Sequence, residues 1–589
     1  MQPSMIRTIS SVPALFLQFV QERPEANFVY VPSGQQPNID WNGISRQEAL
    51  DQVAGLSHRL EQLGVERETK VAIWSNTRVE WCWIDMAVLS LGAVTVGIYP
   101  TLTKDMVLEQ LSDADVEVLI VESEEQYIQW EEDFDGLSKL RHVLTIDKGS
   151  ERVQLQGDEP DLDWYRDRVS QLTSDLLATI VFTSGSTGAS KGVMLTHRNF
   201  LWNLADTKEV LPFKGTVRSI VCLPLAHSLQ RFVIYRAFVE DIEGYFAPSL
   251  KELKETLTQT KPTLLIAVPR MLEKIQNAVF QQALQRSSIA EAMVRWAIEV
   301  GWTVQRSKAE GEEPSLRIRA QYAMLNRLVL SKIRERLGGS LTTIVSGGAA
   351  LNDHTARFFW ALGIEVVEGW GLSESCAPAT LNTDGVRKLG SVGQAMPSVD
   401  MKLSEHSEVL LKGAGIFSGY YGIDSGYAFD ENGYFKTGDL GYVDEDGHLT
   451  ITGRSKDIIV TAGGKNIAPR RIEAKVDGEL IHHCITMGSE QPYLVALIAL
   501  DDEFLSNLAA ENDWAGDFKA LSQHPEVKRL VDERVQVANQ SLASFEQIKK
   551  FAILSEPLTE ESGVLTSTQK LKRAVISQRF ETVWKGLYT

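Results

Sequence analysis

The sequence predicts an α/β fold in which doubly wound, mixed but largely parallel sheets form a large N-terminal domain. Short apolar runs with strand character, such as residues 71–74 and 94–99, alternate with helical stretches. This βαβ rhythm predicts sheets that are buried on both faces. From about Ser391 the pattern changes to short alternating strands with glycine turns, which predicts a β-rich subdomain, and a small α+β domain follows Arg454.

The individual elements follow from local signals. Ser45-Arg46-Gln47-Glu48 forms a capping box that opens a helix ending at Gly64. Residues 13–20 are too short for a convincing signal peptide and predict an amphipathic helix. The nearly uncharged run 86–103 contains glycines and a proline, so it predicts a helix followed by a buried strand and not a membrane span. Further strand-like runs at 219–223, 264–268, 343–345 and 365–367 flank a helical region at 271–338.

Composition narrows the function classes. The 589 residues are 43% hydrophobic and 23% charged, which is typical of a globular protein of more than one domain. A net charge of −19 argues against general binding to nucleic acid or to anionic membranes. The four cysteines are far apart in sequence, which predicts reduced thiols and a cytoplasmic protein.

A glycine-rich segment is the first candidate site. Residues 183–192 read Thr-Ser-Gly-Ser-Thr-Gly-Ala-Ser-Lys-Gly, so backbone and hydroxyl donors accompany the cation of Lys191. Such donors suit a polyphosphate. The spacing is not that of a Walker A motif, and the segment opens onto a strand instead of a helix. A flexible surface loop is the alternative interpretation.

A second segment combines aromatic, hydroxyl and acidic side chains after the run at 365–367. It reads Trp370-Gly371-Leu372-Ser373-Glu374. The ring can stack on a purine, the hydroxyl can bond a phosphoryl oxygen, and the carboxylate can hold Mg²⁺. A turn with Ser as a helix cap is the alternative. The position after a buried strand favours a ligand site.

Later segments add an acid and several cations. Asp439 lies on a turn between glycines, where it can accept hydrogen bonds from ribose hydroxyls or belong to a plain hairpin. Arg454, Lys456 and Lys570 lie in polar segments with glycine or hydroxyl neighbours. In so acidic a chain, these cations either supply the positive electrostatic potential that an anionic ligand requires or are ordinary surface charges in contact with solvent.

Histidines offer two further candidates. His227 follows a strand and is a candidate to border an apolar tunnel, whereas a hydrogen-bonded core or surface histidine is the alternative. His482-His483-Cys484 has the composition of a metal cluster. Adjacent residues of a strand point to opposite faces, however, so we predict no metal there.

Taken together and in this order, these segments resemble the acyl-adenylate-forming, AMP-binding superfamily, and most of all its long-chain fatty acyl-CoA synthetases. The similarity covers nearly the whole chain. It includes residues 76–81 (Asn-Thr-Arg-Val-Glu-Trp), 268–275 (Val-Pro-Arg-Met-Leu-Glu-Lys-Ile) and 346–351 (Ser-Gly-Gly-Ala-Ala-Leu). Several motifs in one order are specific, although each alone is weak.

The resemblance implies an acid–thiol ligase of the AMP-forming type, with Mg²⁺ as cofactor and ATP and CoA as co-substrates. A fatty acid would first become an acyl-adenylate with release of pyrophosphate and would then form a thioester with CoA. The resemblance also implies a large domain, 1–454, that binds ATP and the acid, and a small mobile domain, 455–589, with its hinge near Lys456.

Residue roles follow from the same resemblance. Lys570, Glu374, Ser373 and Lys191 would be catalytic, Thr183 and Glu374 would hold Mg²⁺, and His227 would border the acyl group. Trp370 would stack on adenine, Gly348 and Ala349 would border the adenine pocket, and Asp439 and Arg454 would bind ribose. The full set implied for ATP or AMP is Thr183, Ser184, Gly185, Ser186, Thr187, Gly188, Lys191, Gly348, Ala349, Gly369, Trp370, Gly371, Ser373, Asp439 and Arg454.

Departures from the family pattern leave alternatives open. Trp370 and Ser373 stand where Tyr and Thr are usual, and Gln230 replaces the Glu that commonly precedes Arg231. The acyl chain length therefore stays open. The alternatives are a ligase that loads an acyl carrier protein, a ligase for aryl or other carboxylic acids, and a non-catalytic sensor on the same fold. Small-molecule substrates and no nucleic acid are expected; membrane contact through a lipid substrate and the oligomeric state are left open.

Overall fold

The computed structural model describes residues 1–35, 38–147, 155, 157–183, 190–383, 388–559, 562–566 and 570–589. In chain order the strands are β1 (Asn27–Gln35), β2 (Asn38–Ser45), β3 (Lys70–Trp74), β4 (Val94–Ile98), β5 (Val118–Val121), β6 (His142–Thr145), β7 (Leu177–Thr183), β8 (Lys191–Thr196), β9 (Val217–Val221), β10 (Ile242–Phe246), β11 (Leu264–Ala267), β12 (Thr343–Ser346), β13 (Glu365–Trp370), β14 (Thr380–Leu381), β15 (Gln394–Ala395), β16 (Val399–Leu403), β17 (Glu408–Gly413), β18 (Phe435–Val443), β19 (Leu449–Arg454), β20 (Ile459–Val460), β21 (Asn466–Ile467), β22 (Ile481–Met487), β23 (Leu494–Leu500) and β24 (Ile548–Ile553).

The helices in chain order are α1 (Pro3–Ile6), α2 (Val12–Glu22), α3 (Arg46–Gln62), α4 (Val79–Ser90), α5 (Lys104–Asp113), α6 (Glu124–Phe134), α7 (Leu162–Ser170), α8 (His197–Val210), α9 (Ser228–Arg236), α10 (Leu253–Thr260), α11 (Pro269–Leu284), α12 (Ser288–Ala309), α13 (Leu316–Leu325), α14 (Ser331–Arg336), α15 (Asp353–Ala361), α16 (Pro469–Val476), α17 (Asp502–Glu511), α18 (Phe518–Ser522), α19 (Pro525–Gln540), α20 (Arg573–Arg579) and α21 (Glu581–Gly586). A π-helical segment, Asn326–Leu330, joins α13 to α14. Short 3₁₀ segments include Ser373–Ser375 and Ser455–Asp457.

Two large mixed sheets organise the N-terminal domain. One has the order β6-β5-β3-β4-β7-β8, and the other has the order β15-β14-β13-β12-β11-β9-β10-β1-β2. Their central strands pair in parallel, and the antiparallel pairs lie toward the edges, as in β7 with β8 and β13 with β14. Every residue of β4 and β5 is buried, as expected for strands covered on both faces. The prediction of doubly wound, largely parallel sheets is confirmed.

Local signals explain the flanking elements. The side chain of Ser45 accepts a hydrogen bond from the Glu48 backbone, and the Glu48 carboxylate accepts one from the Ser45 backbone, so the predicted capping box opens α3. The run 86–103 divides between the end of α4 and β4, as predicted. Among the described residues, no helix is both long and apolar enough to cross a bilayer.

The C-terminal third is built from smaller sheets. Strands β16 to β19 form an antiparallel four-stranded sheet, which is the predicted β-rich subdomain. Strands β22 to β24 form a three-stranded sheet with its own apolar core. Helix α16 packs beside β22, and α19 packs against α16. This arrangement is the α+β module predicted after Arg454.

Candidate active site

One cleft of about 2350 Å³ lies between the two large sheets, the β-rich subdomain and the C-terminal module. It is lined by the carboxyl ends of β12 and β13, by the facing ends of β7 and β8, and by parts of β18 and β19. Ligands of open α/β sheets bind outside the carboxyl ends of parallel strands. The fold therefore concentrates polar loops at this cleft.

The structure brings the predicted site residues together at this cleft. Its lining includes Thr183, Lys191, His227, Gly348, Ala349, Gly369, Trp370, Gly371, Ser373, Glu374, Asp439, Arg454, Lys456 and Lys570. The remaining predicted residues, Ser184, Gly185, Ser186, Thr187 and Gly188, lie outside the described residues. Side chains from distant parts of the sequence thus face one space.

A hydrogen-bonded triad forms one wall. The indole Nε1 of Trp370 donates to Oδ2 of Asp439 at 2.9 Å, and the guanidinium Nε of Arg454 lies 2.8 Å from Oδ1. Asp439 is buried, whereas about half of the Arg454 side chain is exposed. Both carboxylate oxygens are thereby oriented before a ligand arrives.

The local setting of this triad differs from the prediction in two places. We expected Asp439 on a turn, but it lies inside β18, where it pairs with Arg454 of β19 next to a register shift between Leu440 and Gly441. We expected Trp370 after a strand, but it is the last residue of β13. The glycines that suggested a turn instead accompany a bulge, because Gly438 adopts a left-handed φ of 72° beside Asp439.

A chain of polar contacts forms another part of the cleft lining. Nζ of Lys191 donates to the hydroxyl of Tyr427 at 2.7 Å and lies 5.1 Å from the ring centre of Tyr420. The hydroxyl of Tyr420 donates to Oε1 of buried Glu374 at 2.8 Å. Because burial and the Glu374 carboxylate raise the pKa of Tyr420, this hydroxyl stays a donor. The chain holds a cation and a carboxylate on the same wall.

Sequence reasoning missed Tyr420 and Tyr427. No spacing rule connects this region with Lys191. The signal that was available is the aromatic clustering of residues 420, 421 and 427 among polar loop residues. Contacts across more than two hundred residues of sequence are set by the fold and not by a local motif.

Backbone shape fixes the loops that follow β12 and β13. Gly348 has a φ of 85°, a left-handed conformation that favours glycine. At Gly371 an added Cβ would lie 2.5 Å from the carbonyl oxygen of Ala377, so only glycine fits without movement. Ser373 begins the 3₁₀ segment that carries Glu374. The backbone paths of these two loops therefore depend on glycine.

His227 lies at the start of α9, where its ring nitrogen accepts a hydrogen bond from the Leu229 backbone at 3.1 Å. Burial, and then the nearby Lys570 cation, lower the pKa of His227 to about 4. Arg231 of helix α9 forms a buried ion pair with Asp85 of α4, which fixes the position of α9. The histidine is therefore neutral near pH 7, and it is held in place on the cleft wall.

Residues of α11 and α12 line another part of the cleft, and six of them are polar or charged, namely Arg270, Glu273, Gln276, Asn277, Arg295 and Glu299. Aromatic and aliphatic groups of α11 and α12 contribute here, namely Phe280, Ile298 and Trp302. Gln230 also lines this part; its Oε1 accepts from the Leu223 backbone at 3.2 Å.

The C-terminal module closes the cleft from above. Lys570 is an exposed residue on the cleft surface, and its backbone exchanges hydrogen bonds with Thr566. Desolvation of its ammonium by the protein that surrounds the cleft, and then the Arg454 cation, lower the pKa of Lys570, while the Asp439 and Glu374 carboxylates oppose that shift. Four charged groups from both domains thus act on one another here.

An ion pair that the sequence did not reveal joins the two domains. Arg270 at the start of α11 lies 2.9 Å from Asp501, which caps α17 of the small domain. Lys456 lies in the 3₁₀ segment directly after β19, where the chain enters the small domain. The observed arrangement is therefore one in which the small domain rests on the large one.

The expectation for His482 and His483 is wrong in one respect. We expected adjacent strand residues to point to opposite faces, but the two imidazole rings stack with their centres 4.2 Å apart. The register of β22 shifts between Ile481 and His483, so the alternation of faces is interrupted there.

Comparison with protein families gives two matches. The model described as AMP-binding enzyme matches residues 16–421. The model described as AMP-binding enzyme C-terminal domain matches residues 456–589.

Individual relatives match over nearly the whole chain. The long-chain-fatty-acid–CoA ligase FadD15 of Mycobacterium bovis is 34% identical, with 98% of this chain and 99% of the relative covered. The long-chain-fatty-acid–CoA ligase ACSBG2 of Mus musculus is 28% identical, with 99% and 93% covered.

Solved structures share the fold. The adenylation domain of a carboxylate reductase from Mycobacterium chelonae gives a TM-score of 0.75 at 20% identity, with 98% of this chain and 91% of that chain covered. The o-succinylbenzoate CoA synthetase of Bacillus subtilis in complex with ATP and magnesium gives 0.65 at 19% identity, with 95% and 98% covered.

Proposed function

Because the chain belongs to the AMP-binding enzyme family, we propose that it is a long-chain fatty acyl-CoA synthetase. The relatives that are named long-chain-fatty-acid–CoA ligases support a long-chain fatty acid as the acid substrate and CoA as the thiol substrate. The observation that carries the proposal is the convergence of Lys191, Glu374, Asp439, Arg454 and Lys570 on one cleft. A binding module would not need two carboxylates and three cations directed at one ligand.

The reaction has two half-reactions in the same cleft. In the first, a carboxylate oxygen of the fatty acid attacks the α-phosphorus of ATP, and the bond to pyrophosphate breaks. In the second, the sulfur of CoA attacks the acyl carbonyl carbon, the thiol proton is lost, and AMP leaves with the electron pair of the acyl–oxygen bond. Both substrates of the first step are anions, so the protein must offset their repulsion before it aligns them.

Nucleotide binding is assigned to the wall formed by β13, β18 and β19. Trp370 stacks on the adenine ring, which Gly348 and Ala349 border, while Asp439 accepts hydrogen bonds from the ribose with Arg454 beside it. The contacts among Trp370, Asp439 and Arg454 support this assignment, because they hold the acceptor oxygens in place. Preorganised partners avoid the cost of ordering side chains on binding.

The phosphates are assigned to Lys191, Ser373 and the glycine-rich segment. Lys191 is a point charge that Tyr427 orients, and Ser373 offers a hydroxyl toward the α-phosphate. Thr183 and Glu374 supply hard oxygen donors, which are the ligands that Mg²⁺ prefers. Glu374 suits this role because Tyr420 occupies Oε1 and so orients the carboxylate toward the cleft. When bound, Mg²⁺ would neutralise phosphate charge.

Lys570 is assigned a role in the first half-reaction. Lys456 is assigned a role in the domain rotation between the first and second half-reactions. Lys570 places a cation near Asp439 and Glu374, where the carboxylate and α-phosphate meet. CoA cannot easily reach the acyl group while the small domain, 455–589, covers the cleft. We therefore assign Lys456 as the hinge about which that domain turns before thioester formation.

His227 borders the acyl group in this proposal, and the acyl chain lies along apolar side chains of the cleft lining. Because a long-chain fatty acid partitions into membranes, the proposal includes contact with a membrane surface. The buried free thiols fit a location in the cytoplasm.

Acid-dependent ATP–pyrophosphate exchange, with a panel of carboxylic acids of graded length and shape, tests the proposal. We expect exchange to be fastest with long straight-chain acids, and CoA to act as acceptor in the full reaction. If the acyl group were transferred to an acyl carrier protein but not to CoA, the acceptor assigned to the second half-reaction would have to change. Preference for aryl acids would change the substrate class, and absence of exchange with every acid would overturn the proposal.

A further inference from the structure

The helical insert formed by α12, α13 and the π-helical segment carries an unusual row of exposed apolar side chains. On α12, Ile289, Met293 and Trp296 are 74%, 40% and 42% exposed. They are spaced four and three residues apart, so they lie along one face of the helix. Soluble surfaces expose single apolar residues commonly, but an aligned row of large ones marks an interaction surface.

The following helix repeats this feature. Leu316, Met324 and Leu328 are 81%, 45% and 49% exposed, and their spacings of eight and four residues also place them on one face. The opposite side of these helices is packed into the protein, since Ala297, Val300 and Leu325 are buried. We call these six exposed side chains, which belong to helices in contact with each other, the insert surface.

The insert as a whole, residues 288–336, has nine Lys or Arg and six Glu in an acidic protein, and its excess of cations lies in the second half. Between residues 315 and 336 the chain has six Lys or Arg and one Glu, although the whole chain has a net charge of −19. Arg317, Arg327 and Lys332 are exposed, and among the described residues none of them forms an ion pair. Two of them adjoin Leu316 and Leu328 in sequence, and Lys332 lies one turn beyond Leu328.

We propose that the insert surface docks on an anionic lipid bilayer. Apolar and aromatic side chains flanked by Arg and Lys are the composition of helices that lie in the membrane interface, where each cation near an anionic surface adds to binding. A second copy of this chain fits less well, because two such surfaces would bring like charges together.

The same helices connect this surface with the cleft. Ile298 and Trp302 of α12 line the cleft, while Met293 and Trp296 of that helix face outward. Docking would therefore bring the part of the cleft that Ile298 and Trp302 line near the membrane in which a long-chain acid is dissolved. This step rests on the proposed function, whereas the docking itself does not.

Vesicle co-sedimentation of the full chain tests the proposal, with phosphatidylcholine vesicles and mixed phosphatidylcholine–phosphatidylglycerol vesicles as probes. We expect binding to the anionic vesicles that weakens as salt rises. An apolar variant, Met293→Ser with Trp296→Ser and Leu328→Ser, should bind at least about 10-fold more weakly. A charge variant, Arg317→Gln with Arg327→Gln and Lys332→Gln, should lose at least about 10-fold as well.

Matched controls remove equivalent groups elsewhere. Ile128→Ser with Val537→Ser removes exposed apolar side chains, and Lys139→Gln with Lys251→Gln and Lys519→Gln removes exposed cations. The proposal is overturned if the wild-type chain does not bind anionic vesicles, or if the control variants weaken binding as much as the insert variants do. It is also overturned if sedimentation velocity shows a dimer that the insert variants abolish without any vesicle binding.

Exchange with octanoate separates this proposal from the proposed function, because that acid is soluble in water and needs no membrane. All insert variants should retain octanoate-dependent exchange, while their turnover of palmitate presented in anionic vesicles should fall. Vesicle binding without exchange would leave the docking surface standing and would count against the enzymatic proposal instead.

Discussion

The two sides of the cleft differ in how firmly their functional groups are held. On the large-domain side, Asp439 is fixed by Trp370 and Arg454, and Glu374 is fixed by Tyr420. On the small-domain side, Lys570 lies on a loop, is exposed, and makes its described hydrogen bonds through its backbone to Thr566. Under the proposed function, the nucleotide binds to the preformed wall, whereas the charge that drives adenylation arrives and leaves with the small domain.

Removing the mobile charge should have the largest effect. Lys570→Ala should lower acid-dependent ATP–pyrophosphate exchange by at least about 10²-fold, because one electrostatic donor to the reacting phosphate is lost. Thioester formation from supplied acyl-adenylate should change little. Lys549→Ala, which removes an exposed cation of the same domain, is the matched control. Near-normal exchange in Lys570→Ala would show that this lysine has no such role.

Disturbing the fixed wall should act on binding. Asp439→Asn removes the charge that Arg454 and Trp370 contact, so KM for ATP should rise by about 10-fold or more, as expected for loss of a charged hydrogen-bond partner. Initial-rate measurements at varied ATP check this. Asp444→Asn changes a residue of the same subdomain that does not line the cleft, so it should leave KM for ATP unchanged. An unchanged KM in Asp439→Asn would mean that the wall does not hold the nucleotide.

The hinge should separate the half-reactions. Lys456→Pro restricts the backbone where the small domain begins, so exchange should persist while thioester formation falls by about 10-fold or more. Rates of both half-reactions in the same preparation provide the measurement. Loss of both to the same extent would argue against a hinge at this residue.

The pH dependence of the exchange reaction should also reflect the protonation of Lys570. The pKa of Lys570 is lowered, so the ammonium form is complete only below that lowered value and is lost as pH rises through it. For the exchange reaction, kcat/KM for ATP should therefore fall at a pH below the ordinary lysine pKa. Lys570→Arg should move the fall to higher pH, because guanidinium stays protonated. An identical profile in both proteins would assign the fall to another group.

The smallest effect should come from the contact between the domains. Arg270→Gln removes the ion pair with Asp501, which is partly exposed, so exchange should fall by only about 2- to 5-fold. Asp501→Asn should do the same, and the double variant should add little. Additive losses in the double variant would show that the two residues act separately.

The sequence predicted the fold well where local patterns determine it. Continuous apolar runs marked β4 and β5, and the capping box at Ser45 marked the start of α3. It also predicted which described residues share the cleft, through the family resemblance. Two local assignments failed at bulges, because the register shifts near Asp439 and His483 depend on the partner strands and not on the residues themselves.

The contacts that organise the site were less predictable. Lys191 meets Tyr427, and Arg270 meets Asp501, across separations for which the sequence offers no periodic signal. Such pairs follow from how whole domains pack, so a motif can name one member and leave its partner unnamed. Gln230 shows the same limit, since its substitution for a commonly acidic residue does not reveal that its amide oxygen accepts from the Leu223 backbone.

The central claim is that a carboxylate and ATP react directly in this cleft, and isotope transfer tests it most directly. The measurement is the mass of AMP formed from palmitate labelled with ¹⁸O in both carboxylate oxygens, in the presence of ATP and CoA. We predict that the AMP carries one ¹⁸O atom, since the attacking oxygen stays on the α-phosphorus. Unlabelled AMP together with labelled phosphate or pyrophosphate would contradict the account.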